Sequence, residues 1–179
     1  MSITKTKLDG VWIIDIETKN DERGFFATPW TAREFQSLGL ETEFPQYNIS
    51  FNHRRGTVRG MHYQTAPYEE VKLVSCTRGA MYDVVVDLRP NSPTMRHWIF
   101  VELSAENRRI LYIPKGCAHG YQTLEDATEV HYQVSEYYHP ESSAGIRWDD
   151  SAVGIQWPLP VTIISPRDQS FELLTNDGR

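Results

Sequence analysis

The alternation of hydrophobic and polar positions changes character at about residue 46. Before that point the apolar runs are short and interrupted. Residues 8–17 (LDGVWIIDIE) are apolar with polar punctuation and predict a first strand, followed by a polar turn over 19–24 that ends in glycine. Residues 25–30 are aromatic, short and broken by Pro29, which predicts an edge or arm segment. Residues 31–40 predict the one well-marked helix. There Thr31 and Glu34 have capping-box spacing, Phe35 and Leu38 give a narrow apolar side, and Gly39 can end the helix.

From Gln46 onward the pattern is β. Strand-like runs cover 71–76, 80–88, 98–103, 109–113 and 127–137, separated by turn residues at 78–79, 89–93, 104–107 and 114–116. Short strands with turn signals at this spacing predict an all-β sandwich or barrel of the jelly-roll kind. The valine-rich run YDVVVDL predicts a strand buried on both faces. Residues 56–64 (GTVRGMHYQ) alternate with period two. That places Val58, Gly60, His62 and Gln64 on one face and Thr57, Arg59, Met61 and Tyr63 on the other. With no repeat and no linker, residues 1–179 are expected to form one domain, with a strand and an arm within 1–30 and a loosely held polar tail after Phe171.

Composition narrows the function classes. The net charge of −6 argues against nucleic-acid binding, although a few local arginines can still hold a phosphate. Cys76 and Cys117 are too isolated for a disulfide framework or a zinc site, which suits a reducing, cytoplasmic setting. No apolar run approaches the roughly 18 residues of a membrane span and no secretory leader is recognisable, so no membrane partner is expected.

Several polar residues fall where a purely structural strand would prefer apolar ones. His62 and Arg59 share a glycine-containing strand, which can hold a base rigidly and let a ligand approach the backbone. Lys72 lies in a run that reads as interior, so it must either snorkel out or face a polar cavity. His119 stands between glycines after a turn. Tyr132 and Tyr138 are six residues apart and, on an extended strand, share a face with Val130 and Val134. Asp168 and Arg167 follow an apolar run. Taken singly, each has an ordinary explanation: a satisfied core histidine, a half-buried tyrosine, a solvated turn. No P-loop, GxGxxG or GxSxG motif is present. Metal-binding cupins pair His-x-His with a glutamate and a later histidine. Here Gln64 takes the second place, leaving His62, Glu69 or Glu70, and His119, so a metal-free use of the cavity is expected.

Taken together, these residues resemble one family. The landmarks are DERGFF (21–26), QYNIS (46–50), TVRGMHYQ (57–64), KLV (72–74), DVVVDLRPNSPT (83–94) and LSAEN (103–107). They continue with IPKGCAHG (113–120), EYYHP (136–140), GIRWDD (145–150), IQWP (155–158) and SPRD (165–168). In this order and spacing they resemble the nucleotide-sugar 3,5-epimerases of the dTDP-4-dehydrorhamnose 3,5-epimerase family. The resemblance implies a cupin-type jelly roll with one or two short helices, working without metal or cofactor on a nucleotide-diphosphate 4-keto sugar. It implies His62 as the base, Asp168 as its partner, Lys72 as a cation near O4, and Tyr132 as the acid on the opposite face. Arg23, Gln46, Asn48, Arg59, His119, Tyr138 and Arg167 are implied as substrate contacts, with Arg23 acting across a homodimer through the N-terminal arm.

Two departures bear on specificity. Where the family's first motif continues to a carboxylate, this chain has Thr28, which cannot accept a base N–H with the same strength. Before Lys72 the chain reads Tyr68-Glu69-Glu70-Val71, where a glutamine and a small residue are usual. The open alternatives are epimerisation at C3 or C5 alone on a CDP-, UDP- or GDP-linked sugar, a metal-dependent cupin enzyme, or a non-catalytic sugar-nucleotide binding module.

Overall fold

Two antiparallel sheets dominate the computed structural model, which describes residues 1–174. The six-stranded sheet runs β1 (Ser2–Lys5), β2 (Trp12–Asp15), β10 (Ile110–Ile113), β7 (Lys72–Arg78), β12 (Thr128–Val134), β5 (Gln46–Asn52). The five-stranded sheet runs β13 (Ser143–Gly145), β6 (Val58–Gln64), β11 (Cys117–Thr123), β8 (Ala80–Asp87), β9 (Trp98–Ser104). From β5 to β13 the chain changes sheet at every connection except the β8–β9 hairpin, which is the winding of a double-sheet jelly roll.

Between the sheets, Val74, Cys76, Leu111, Ile113 and Val130 meet Met81, Val85, Val101, Leu103, Cys117 and Tyr121. Each fully buried aliphatic side chain of this kind contributes about 1.5–3 kcal/mol. The outer faces are covered too. Met61, Val84, Val86 and Ala118 pack under Ile146, Val153 and Ile155, while Ile14, Leu73 and Tyr112 pack under Phe35 and Val71. This double covering is why β8 is buried along its whole length, as its valine run predicts.

The helix α1 (Ala32–Ser37) begins as its capping box predicts: the Thr31 hydroxyl accepts the Glu34 N–H at 3.3 Å and donates to the Glu34 carboxylate at 2.7 Å. It is shorter than expected. Leu38 is already the cap residue and is 44% exposed, so Phe35 alone supplies the buried contact.

Four further differences matter for the site. β12 stops at Val134, because residues 137–139 are drawn away by side chains of neighbouring strands: Gln64 donates to the Tyr137 carbonyl and accepts the His139 N–H. The glycine-rich stretch after Lys115 is not merely a turn but the fully buried strand β11. β6 carries one residue more than β11 between the pairs His62–His119 and Arg59–Tyr121. That bulge breaks the period-two alternation, so Arg59 and His62 line the same cavity instead of opposite faces. Gly60 permits it, since a Cβ there would come within 2.5 Å of the Gly120 Cα. Finally, the start of the tail is packed: Leu174 donates its N–H to buried Asp150 at 2.6 Å. The rest of the tail, 175–179, lies outside the described residues.

The N-terminal region divides in two. β1 and β2 pair within this chain's own sheet. Beyond them β3 (Lys19–Asp21) and β4 (Gly24–Phe26) form a hairpin whose ladder is only with each other among the described residues. The hairpin exposes Phe26 by 67% at its open end and the Arg23 side chain by 86% at its turn.

Candidate active site

At one end of the sandwich the two sheets part around a polar cavity. From the five-stranded sheet come Arg59, His62, His119 and Tyr121, and from the six-stranded sheet come Ser50, Lys72 and Tyr132. The cavity continues past Gln46, Asn48, Glu70, Tyr138 and Arg167, with His62, Lys72 and Tyr132 at the junction of its two lobes.

His62 is held by a segment distant in sequence. Asp168 lies in the one-turn helix α2 (Pro166–Gln169), which Ser165 caps by accepting the Asp168 N–H at 3.0 Å. The Asp168 carboxylate meets His62 Nε2 at 2.7 Å and accepts the Gly60 N–H at 3.1 Å. Burial works to raise the Asp168 carboxyl, but the hydrogen bond and charge of His62, with the Gly60 and Ser165 groups, outweigh it and hold the acid below its ordinary range. An ionised Asp168 can only accept, so Nε2 is the protonated nitrogen and Nδ1 is left as the basic one.

Across the cavity the buried Lys72 ammonium is ion-paired with Glu70. Tyr132 follows Val130 on the inward face of β12, and Val134 lies beyond it. Burial first, and the Glu70 charge second, hold the Tyr132 phenol above its ordinary value against the opposing pull of Arg59. It is therefore a protonated donor near neutrality. His119 gives Nε2 to the fully buried Asp83 at 2.6 Å. Burial raises the Asp83 carboxyl, and its second oxygen has no partner among the described residues.

The guanidinium of Arg59 is aimed by neutral groups: its Nε donates to Asn52 Oδ1 at 2.8 Å. Asn52 in turn bonds the Tyr121 hydroxyl at 3.2 Å, which meets Ser50 at 2.8 Å. Arg167 donates to the Ser143 hydroxyl at 2.7 Å. Gln46 Nε2 donates to Asn48 Oδ1 at 2.9 Å, and Gln46 Oε1 accepts the Tyr138 N–H at 3.2 Å.

All the expected site residues but one gather on or around this cavity. Arg23 is the exception: it sits on the exposed hairpin, paired with Asp21, and Thr28 lies in a separate recess with Phe26 and Thr31. Tyr138 does reach the cavity, but from the loop after β12; the shared strand face with Tyr132 is not formed. Gln64 spends its amide on the carbonyls of Tyr68 and Tyr137 and on the His139 N–H, so it is a structural tie between two loops. Among the described residues no group of three or more His, Cys, Asp or Glu side chains converges as metal ligands.

Sequence reasoning overlooked Asp83, Asn52, Tyr121 and the pairing of Glu70 with Lys72. Asp83 left a readable trace, as a carboxylate inside a valine run buried on both faces. Asn52 and Tyr121 left none, because their use depends on the register between sheets.

Comparisons with known proteins agree on one family. The family model described as dTDP-4-dehydrorhamnose 3,5-epimerase matches residues 5–176. A dTDP-4-dehydrorhamnose 3,5-epimerase of Methanothermobacter thermautotrophicus is 46% identical over 173 residues, covering 95% of this chain and 92% of the relative. The crystal structure of the Bacillus anthracis dTDP-4-dehydrorhamnose 3,5-epimerase, with TDP and PPi bound, superposes with a TM-score of 0.93 at 38% identity, covering 97% of this chain and 99% of that one. The Legionella pneumophila dTDP-6-deoxy-D-glucose-3,5-epimerase, solved in complex with dTDP-4-keto-L-rhamnose, gives a TM-score of 0.89 at 40% identity over 96% of this chain and 92% of its own.

Proposed function

The chain belongs to the dTDP-4-dehydrorhamnose 3,5-epimerase family, and on that premise we propose that it inverts C3 and C5 of a dTDP-linked 4-keto-6-deoxy sugar by metal-free proton transfer. The carbons flanking the 4-keto group are acidified C–H acids, yet still on the order of ten pK units weaker than imidazolium, roughly 14 kcal/mol. A positioned base supplies only about 10²–10⁴ in rate. The site must therefore also stabilise the enolate oxygen.

His62 is the base, with Nδ1 accepting the proton and Asp168 fixing the tautomer and balancing the imidazolium that forms. Lys72 stabilises the enolate at O4. Tyr132 returns a proton from the other side. The observation that carries this reading is topological: the His62–Asp168 pair belongs to one sheet and its flanking helix, while Lys72 and Tyr132 belong to the other, across a single cavity. A planar enolate lying between the sheets loses a proton toward one wall and gains one from the opposite wall, and that inverts the centre. Arg59, His119 and Arg167 hold the diphosphate and sugar, with Gln46, Asn48 and Tyr138 along the second lobe.

The protein works as a homodimer in which the hairpin carrying Arg23, with Thr28 just beyond it, reaches the nucleotide in the partner's cavity. That β3 and β4 pair only with each other among the described residues, and that Phe26 is exposed, support this reading. Sedimentation showing only monomers at assay concentration would remove it.

The deciding experiment is incubation in D₂O with 4-keto-6-deoxyglucose linked to dTDP, CDP, UDP or GDP. Deuterium at C3 and C5, read by NMR and fastest with dTDP, is the expected result. Exchange at C3 alone would make the protein a 3-epimerase, and no exchange with any of the four would overturn the epimerase reading.

A further inference from the structure

We propose that Phe171 is a positioning residue for His62: its ring walls the imidazole into the one orientation in which Asp168 grips Nε2 and Nδ1 is presented to the cavity. The inference rests on the epimerase reading for its kinetic consequence but not for its geometry. Gly145 lies directly opposite His62 in the pairing of β13 with β6. A Cβ at Gly145 would overlap Cε2 and Cζ of Phe171, so the glycine leaves a slot that the ring occupies. From that slot the ring meets the imidazole edge to face, with centroids 5.9 Å apart and planes at 70°.

The segment that carries the ring is tied on both sides. Upstream, the Ser170 N–H closes α2 on the carbonyls of Pro166 and Arg167 at 3.1 and 3.0 Å. Downstream, Leu174 donates to Asp150, a carboxylate only 2% exposed. Asp168 and Phe171 thus grip one imidazole from a single anchored segment, one by a hydrogen bond and the other by contact. Rotation of an imidazole about χ2 meets only a broad, roughly two-fold barrier. The hydrogen bond to Asp168 opposes a swing of Nε2, and an aromatic ring packed against the imidazole in an edge contact opposes it further.

The test compares Phe171→Ala with Phe171→Leu, which keeps most of the apolar volume, in the full chain. In ¹⁵N spectra of the substrate-free protein, the wild-type His62 should show a single tautomer protonated at Nε2. Phe171→Ala should average the two nitrogens, and Phe171→Leu should largely restore the wild-type pattern. In the deuterium-exchange assay, Phe171→Ala should lower kcat by roughly ten- to a hundredfold through misplacement of the base. An unchanged His62 spectrum in Phe171→Ala overturns the proposal, whether or not activity falls. So does a displaced spectrum with kcat intact. Because the nitrogen spectra need no substrate, a failure here is distinguishable from a failure of the epimerase reading.

Discussion

Replacing Asp168 by asparagine isolates the tautomer of His62. The side chain keeps its size, and the amide oxygen can still accept the Gly60 N–H that Asp168 takes at 3.1 Å. What changes is the 2.7 Å contact with His62 Nε2. With its oxygen committed to Gly60, the asparagine presents NH₂ to the imidazole. A donor facing Nε2 forces the ring proton onto Nδ1, the nitrogen proposed to take the carbon-bound proton. The analogous exchange in a serine-protease triad costs about 10⁴ in kcat, and here a loss of about 10³–10⁴, or roughly 4–5.5 kcal/mol of barrier, is expected. The assay is deuterium incorporation beside the ketone at saturating substrate, with ¹⁵N shifts of His62 in parallel. Exchange within tenfold of wild type, with the proton still on Nε2, would refute the reasoning. The same residue gives a pH signature. Its folded pKa lies below the ordinary value of 3.8, so its stabilising contribution is fully present above that value and is lost as pH falls through the folded one. The stability gap between wild type and Asp168→Asn should therefore narrow below about pH 4.

Other perturbations separate the remaining roles. Tyr132→Phe should retain exchange of the proton taken by His62 while losing about 10²–10⁴ in formation of the inverted product, seen as deuterium wash-in without epimer. Lys72→Met removes the cation proposed for the enolate, expected to cost about 10²–10³ in kcat, and strands Glu70, expected to cost about 3–5 kcal/mol of stability by denaturant titration. Adding Glu70→Gln should recover most of the stability and none of the rate; recovery of rate would remove Lys72 from the mechanism. Both thiols are buried, which pushes Cys76 up to about 11 and Cys117 up to about 12, so neither should be alkylated by iodoacetamide at pH 8 until the protein unfolds.

How much of the molecule is legible in its sequence depends on whether a residue's neighbours are local. The buried β8 and the capped start of α1 are legible because valine runs and Thr-x-x-Glu spacing act within a few residues. β11 is not, since Cys117 to Thr123 contains no apolar run or strict alternation and its burial comes from β6 and β8 on either side. The alternation on β6 fails at a bulge that only the partner strand reveals. Among the site residues, family resemblance gathers His62, Lys72, Tyr132 and Asp168, whereas single-residue logic favours a core histidine and a solvated turn. The contacts that aim them (Asn52 on Arg59, Glu70 on Lys72, Phe171 on His62) arise from register and chain return, which leave no local pattern to read.

The charge pattern carries the same lesson one step further, because a net charge of −6 looks ill suited to a diphosphate ligand. The distribution resolves it. Arg23, Arg89, Arg109 and Arg147 are each paired with an aspartate, and Lys72 with Glu70. Arg59 and Arg167, by contrast, are oriented by neutral partners, Asn52 and Ser143. Both line the cavity, and neither forms an ion pair among the described residues. A guanidinium fixed by an amide or a hydroxyl is held in place without being neutralised, so its field stays available to an incoming anion. An acidic protein can therefore concentrate positive potential where its sheets part, and the residues that do so are recognised less by their own charge than by the uncharged groups that hold them.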